Sequence, residues 1–151
     1  MASNLRVRRA GTLHIDLPPE QAFFYFTAEG ERAYIDSWDP RMADGGAEQE
    51  RGSVFTTDAD GELTIWTVLE SDARAGRALY SRVTPGSRAG FAEVALTADG
   101  AGTRVRIGYD LTALVPEANE RLAAFDLGFD AMLADWSKKL AALAEEAERA
   151  A

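Results

Sequence analysis

The sequence has no cysteine and only one histidine among its 151 residues. The absence of cysteine excludes disulfides, thiolate catalysis and cysteine metal sites, and it favours a reducing, cytoplasmic environment. A zinc site would need more nitrogen or sulfur ligands than one histidine supplies. We therefore expect neither a metal ion nor a redox cofactor, and cofactors of other kinds are not indicated.

Long apolar runs and an excess of positive charge are also missing. No run approaches the roughly 20 apolar residues of a membrane-spanning helix. The basic residues near the N-terminus are not followed by the apolar segment of a secretory signal. The net charge of −9 argues against non-specific nucleic-acid binding, which requires a cationic face. These features predict a single globular domain over residues 1–151, monomeric or homodimeric, with no membrane span and no nucleic-acid partner.

The first third of the chain contains one strand and two short helices by pattern. Residues 5–17 alternate between apolar and polar side chains, which is typical of a half-buried strand. Pro19 and Glu20 suit the first turn of a helix. A second short helix is predicted over 28–36, ending before Asp39-Pro40 because proline disfavours helix in the residue before it.

The middle of the chain, from about 41 to 113, consists of alternating segments separated by glycine-rich turns, which is the pattern of hairpins. Five strands are predicted between 54 and 111; a short strand near 42–48 makes six, and the first strand of the chain makes seven. Consecutive hairpins favour an antiparallel sheet. The other predicted strands are Val54–Thr57, Leu63–Leu69, Leu79–Val83, Phe91–Thr97 and Thr103–Leu111.

The pattern changes after Pro116. Apolar residues then recur at steps of three and four up to Leu143, which indicates one long amphipathic helix. The alanine- and glutamate-rich tail beyond it is expected to fray. The chain is therefore predicted to be an α+β protein, in which the first strand pairs with the last and closes the sheet edges. The long helix would lie in the concave face of the curved sheet and leave an apolar cavity.

Several stretches carry a resemblance to a known superfamily. They are "TAEGERAY" and "WDP" within 27–40, "GSVFTT" at 52–57, "YSRVTPGSRAG" at 80–90, "IGYDLTAL" at 107–114, and the aromatic helix up to Trp136. With the order of elements, they make the chain similar to an uncharacterised bacterial branch of the START-related, polyketide-cyclase-like (SRPBCC) superfamily. The resemblance implies the helix-grip fold: a seven-stranded curved antiparallel sheet, two short helices and a long C-terminal helix over a cavity.

Two aromatic residues are the first candidates for the cavity wall. Trp38 precedes the helix-stopping Asp39-Pro40; under the resemblance it lies at the open end of the sheet, where it could plug the core or contact a ligand. Tyr109 shares strand parity with Ile107 and Leu111, so it should point inward with a hydroxyl that needs a partner. In that register Ala92 lies near Tyr109 and leaves room beside it.

The other candidate ligand-binding residues have two possible orientations or roles. Tyr80 and Arg82 share a parity whose face is open: inward, Arg82 would bind a carboxylate or enolate, and outward it would lie on a solvated face. Trp66 is equally open. The helix residues Phe125, Phe129 and Met132 would form the cavity roof, or simply belong to the core.

Catalytic groups are harder to assign, and no catalytic residue is predicted. His14 is expected on the outer, polar face of the first strand, where it cannot act in a triad. Five acidic residues between 29 and 44 could hold a hard cation, but a solvated face is the favoured interpretation; they are Glu29, Glu31, Asp36, Asp39 and Asp44.

Three functions are compatible with this cavity. The favoured hypothesis is a carrier or sensor that binds a hydrophobic small molecule such as a lipid, a polyketide or an aromatic compound. The second is an enzyme of the polyketide cyclase/dehydratase type, which would need an acid or base inside the cavity. The third is a protein-interaction module like the chaperone activators of the superfamily. Whether the protein is an enzyme is left open.

Overall fold

The computed structural model describes residues 3–44 and 49–150. Seven strands form one antiparallel sheet in the order β1-β7-β6-β5-β4-β3-β2. The strands are β1 (Arg6–Ile15), β2 (Arg41–Met42), β3 (Val54–Ala59), β4 (Glu62–Asp72), β5 (Arg77–Thr84), β6 (Arg88–Asp99) and β7 (Gly102–Ala113). Part of the short strand predicted near 42–48 lies outside the described residues.

The predicted hairpin register is confirmed. Leu96 lies opposite Val105, and Ala92 lies opposite Tyr109. The first strand pairs with the last, with Val7 opposite Leu111. The pairing does not close the sheet, however, because β1 and β2 remain its two edges.

The long helix α2 (Asn119–Ala150) follows a short 3-10 turn at Pro116–Ala118. Its stripe of buried side chains includes Leu122, Phe129, Trp136 and Leu140. The tail does not fray as expected, since the helix continues to Ala150. Alanine has the highest helix propensity, which accounts for this continuation.

Arg9 ties α2 to β1 from the inner face of the sheet. Its guanidinium donates hydrogen bonds to the backbone oxygen of Asp126 at 2.7 Å and to the carboxylate of Asp130 at 2.7 Å. Gly11, next on the same face, leaves the space that the Leu133 side chain fills. The three N-terminal arginines, Arg6, Arg8 and Arg9, would be expected on one solvated strand face; this is wrong for Arg9, whose parity is opposite to that of the exposed Arg6 and Arg8.

The two short helices are tighter and shorter than predicted. Helix α1 (Pro19–Ala22) continues into a 3-10 helix at Phe23–Phe26, and a second 3-10 helix spans Gly30–Ala33. The chain then turns, and Ser37 has a positive φ of 60°. The helical segment thus ends several residues before Asp39-Pro40, and Trp38 follows a turn rather than a helix.

Candidate functional site

The inner face of the sheet carries the candidate site residues of β4 and β5. Trp66 and Tyr80 are buried, and Arg82 shares the inner parity of Tyr80 and Thr84. Thr64 and Thr84, opposite each other on this face, are hydrogen-bonded at 2.8 Å. The orientation that the sequence leaves open is therefore inward for Trp66, Tyr80 and Arg82. The outward alternative for Arg82 is wrong.

A cavity lies between this face, the segment around 31–38 and α2. Tyr109 and Trp38 both border it, as the sequence predicts for one shared cavity. Trp136 is the helix residue in its wall, so the helix covers it further toward the C-terminus than expected. The wall includes Phe26, Glu31, Trp38, Phe55, Trp66, Tyr80, Ala92, Ile107, Tyr109 and Trp136.

The helix residues predicted as the roof are placed differently. Phe125 and Phe129 pack against the Tyr109 ring, with centroid separations of 5.2 and 6.1 Å. Met132 is half-buried and packs against the core. Phe125 and Phe129 thus pack behind Tyr109, which lines the cavity, whereas the helix residue that lines the cavity is Trp136.

The cavity is small in this conformation. Its free volume is about 20 Å³, which is enough for one water molecule. Trp38, Phe125 and Met132 are only half-buried at its border or beside it. A drug-sized molecule would therefore require these side chains to move.

Most polar groups of the interior have partners within the protein. The Tyr80 hydroxyl donates to the Phe26 carbonyl at 2.8 Å, and Gln49 donates to the same hydroxyl at 2.8 Å. The indole N–H of Trp38 donates to the Ala28 carbonyl at 2.8 Å. These bonds hold the aromatic wall in place without using a ligand.

The same holds for two further aromatic residues. The indole N–H of Trp66 donates to the Thr57 hydroxyl at 2.9 Å, and the Tyr34 hydroxyl donates to the Tyr25 carbonyl at 2.7 Å. Tyr34 also packs edge-to-face on Trp136, with ring centroids 5.8 Å apart. Both hydrogen bonds satisfy groups that would be costly to bury unpaired.

Three polar side chains of the interior are exceptions. Among the described residues, the carboxyl of Glu31, the hydroxyl of Tyr109 and the guanidinium of Arg82 have no hydrogen-bond partner. Glu31 and Tyr109 border the cavity, and Arg82 lies over the Tyr109 ring at 5.8 Å. The Nε of Arg82 is fully buried without a partner, and buried polar groups are seldom left unpaired, so this cluster is the candidate binding site.

The surroundings shift the pKa of all three groups. Burial raises the pKa of Glu31 to about 8, so this carboxyl is largely protonated at neutral pH. Burial raises the pKa of Tyr109 to about 12, although the nearby Arg82 opposes that rise. Burial lowers the pKa of Arg82, yet an arginine starts so high that it stays charged.

Glu31 is the site residue that the sequence analysis missed. The sequence places it with four acidic neighbours on a solvated face. Two of these neighbours do lie on the surface, where they form ion pairs: Asp39 with Arg32 at 2.7 Å and Asp36 with Lys139 at 3.2 Å. Glu31 instead turns into the cavity from the second 3-10 helix. The available signal was its position three residues before Tyr34, which is buried.

The surface of the described chain has larger depressions, but they lack such a cluster. One of about 450 Å³ on the outer face of the sheet is lined by Arg8, Glu93, Arg106 and Asp110, among others. Its charges already pair with each other, Arg106 with Glu93 at 3.1 Å and Arg8 with Asp110 at 3.8 Å. His14 also lies outside, as predicted, beside Asp16 at 3.0 Å.

The fold and the interior site define a helix-grip domain, in which a curved sheet surrounds a long helix over an internal cavity. Residues 6–148 match the family of polyketide cyclases/dehydrases and lipid transport proteins, and the chain belongs to this family. None of the helices in the described parts of the chain is long and apolar enough to cross a membrane. Comparison with curated proteins gave no match.

Solved structures share the fold at low sequence identity. An uncharacterised protein from Rhizobium leguminosarum is 18% identical, with a TM-score of 0.61 and coverage of 91% of this chain and 96% of that chain. CalU16 from Micromonospora echinospora is 14% identical, with a TM-score of 0.63 and coverage of 98% and 95%. Norcoclaurine synthase from Thalictrum flavum, in complex with dopamine and hydroxybenzaldehyde, is 9% identical, with a TM-score of 0.68 and coverage of 95% and 89%.

Proposed function

We propose that the protein binds a hydrophobic small molecule, such as a polyketide, a lipid or an aromatic compound, in the cavity beneath α2, and that it acts as a carrier or sensor. The observation that carries the proposal is the cluster of Glu31, Tyr109 and Arg82, whose polar groups have no partner among the described residues. Around it stand aromatic walls suited to an apolar ligand. The family, which includes lipid transport proteins, supports the same assignment.

The aromatic wall offers a direct test. The three tryptophans of the sequence, Trp38, Trp66 and Trp136, all border the cavity. The neutral probe N-phenyl-1-naphthylamine, once bound there, should quench their fluorescence and emit by energy transfer. Native mass spectrometry of the purified protein should in addition detect a bound hydrophobic compound.

A matched pair of variants locates the binding. Ala92 lies in the cavity wall, whereas Ala95 is exposed on the outer face of the same strand. Ala92→Leu should reduce energy transfer, since it fills space beside Tyr109, and Ala95→Leu should not. Equal binding by both variants would place the probe elsewhere and would count against the proposal.

A second candidate function is an enzyme of the cyclase/dehydratase type. The observation that favours it is the Glu31 carboxyl, which borders the cavity with its pKa near 8, in the range that suits a general acid or base. Deuterium exchange at the central carbon of benzoylacetone, followed by NMR, tests proton abstraction. Wild type should accelerate the exchange and Glu31→Gln should not; no acceleration by wild type would exclude this role for Glu31.

The proposal also includes a cytoplasmic location, supported by the absence of cysteine, and a protein that acts as a monomer or homodimer without nucleic acid. The acidic net charge of −9 supports the last point. Size-exclusion chromatography with light scattering determines the oligomeric state.

A further inference from the structure

Arg82 is the most unusual charge of the described interior. It lies on the inner face of β5, and its Nε is fully buried without a hydrogen-bond partner. The other guanidinium nitrogens also have no described hydrogen-bond partner, but they are not fully buried. Its guanidinium carbon lies 5.2 Å from the Trp66 ring centroid and 5.9 Å from that of Phe125.

The carboxylates of the region do not neutralise this charge. Glu62 lies near enough to act on Arg82 electrostatically. It is already bound by Arg88 at 3.0 Å and by Arg121 at 2.8 Å. Glu31 is not among the charges that act on Arg82. The guanidinium is thus surrounded by aromatic rings and lacks a counter-anion within the described chain.

Burying such a charge is costly unless it is paired. Contact with the faces of aromatic rings compensates only part of this cost. A guanidinium presents its N–H groups in a plane and binds a carboxylate through two parallel hydrogen bonds. A planar anion between the rings would complete both the charge pairing and the hydrogen bonds of Arg82.

We propose that the ligand is an aromatic or conjugated acid whose delocalised oxyanion, a carboxylate or an enolate of the same planar shape, pairs with Arg82 while its apolar part lies against Trp66 and Tyr109. This inference rests on the proposed function, since it specifies the class of molecule that the cavity takes. Glu31, mainly protonated at neutral pH, adds little negative charge that would repel this ligand.

The test compares two probes of equal shape, 2-naphthoate and its neutral analogue 2-naphthamide, by isothermal titration calorimetry at neutral pH. Wild type should bind 2-naphthoate about 10- to 100-fold more tightly, as expected for charge-assisted hydrogen bonds. Arg82→Met keeps an apolar side chain of similar reach, and it should abolish this preference while 2-naphthamide still binds. Arg104→Met, on the exposed outer face of β7, is the matched control and should keep the preference.

Two outcomes would overturn the inference. They are equal affinity of wild type for both probes, and a preference for 2-naphthoate that survives Arg82→Met. The comparison of the two probes on wild type decides the question even if Arg82→Met does not fold. Binding of neutral N-phenyl-1-naphthylamine without a preference for 2-naphthoate refutes only this inference. Failure of all three probes to bind refutes the proposed function as well.

Discussion

The guanidinium of Arg82 lies over the ring of Trp66, 5.2 Å from its centroid. The Trp66 ring is itself held by a hydrogen bond to Thr57 at 2.9 Å and by stacking on Phe55 at 5.8 Å. The aromatic surface is therefore rigid on the side of the sheet. The opposite side carries the half-buried side chains of Trp38 and Phe125.

Glu31 should make stability depend on pH. Its pKa is 4.5 in the unfolded chain and about 8 in the folded one, so between these values the folded state holds a proton that the unfolded state has lost. The free energy of unfolding therefore falls as pH rises through this window and levels off above it. Glu31→Gln removes this contribution to the pH dependence.

The variant Glu31→Gln should gain roughly 2 kcal/mol over wild type at pH 7, a value reduced because water reaches the half-buried side chain. Urea unfolding at pH 5, 7 and 8.5 measures this difference. Glu29→Gln, at an exposed neighbour, is the control. A gain that does not increase between pH 5 and pH 7 would contradict the burial of the Glu31 carboxyl.

Two tyrosines of the cavity should respond differently to loss of their hydroxyls. Tyr80→Phe removes hydrogen bonds with Gln49 and with the Phe26 carbonyl, and it should cost about 1–2 kcal/mol of stability. Tyr109→Phe removes a hydroxyl with no described partner and should leave stability almost unchanged. Thermal unfolding of both variants measures this contrast.

Tyr109→Phe, which should barely affect stability, should instead affect ligand affinity. If the ligand accepts a hydrogen bond from Tyr109, Tyr109→Phe weakens binding by roughly 0.5–1.5 kcal/mol. Titration with 2-naphthoate measures it. Equal affinity would remove the hydroxyl from the site but leave the cavity intact.

Trp38 should contribute to both stability and binding. Its ring contacts those of Trp66 and Phe55 edge-to-face, at centroid separations of 5.5 and 6.1 Å. Because the side chain is half-buried, Trp38→Ala should cost roughly 2–3 kcal/mol, less than a fully buried ring. Phe24→Ala, at an aromatic residue that is 51% exposed, should cost clearly less in the same chemical unfolding experiment.

Two glycines should respond in opposite directions to alanine. A Cβ on Gly90 would collide with the carbonyl oxygen of Asp110 on β7, so Gly90→Ala should destabilise the protein by about 2 kcal/mol or more. A Cβ on Gly128 would meet no atom within 4 Å, so Gly128→Ala should stabilise the helix by about 1 kcal/mol. Differential scanning calorimetry should find Tm changes of opposite sign.

Periodic patterns determined the fold. Alternation in the strands and the helical stripe after Pro116 depend on the covalent spacing of side chains, so they predicted seven strands, the register that places Ala92 opposite Tyr109, and the helix that follows. The inward orientation of Tyr109 came from the same parity. Local turns were less predictable: the segment before Trp38 ends its helix early, at Ala33. This second 3-10 helix packs against the preceding one, and the Tyr34 hydroxyl that follows it donates to the Tyr25 carbonyl.

The chemistry of the site was decided by tertiary structure. Glu31 and Arg82 are ordinary surface-type residues in the sequence, and only the packing of the second 3-10 helix and of β5 around aromatic rings shields them from most of the water. Burial then shifts the pKa of Glu31 and leaves Arg82 without a counter-anion among the described residues. Such desolvation depends on residues distant along the chain, so it cannot be predicted from a local sequence pattern. The strand and helix periods, in contrast, can be recognised within each segment alone.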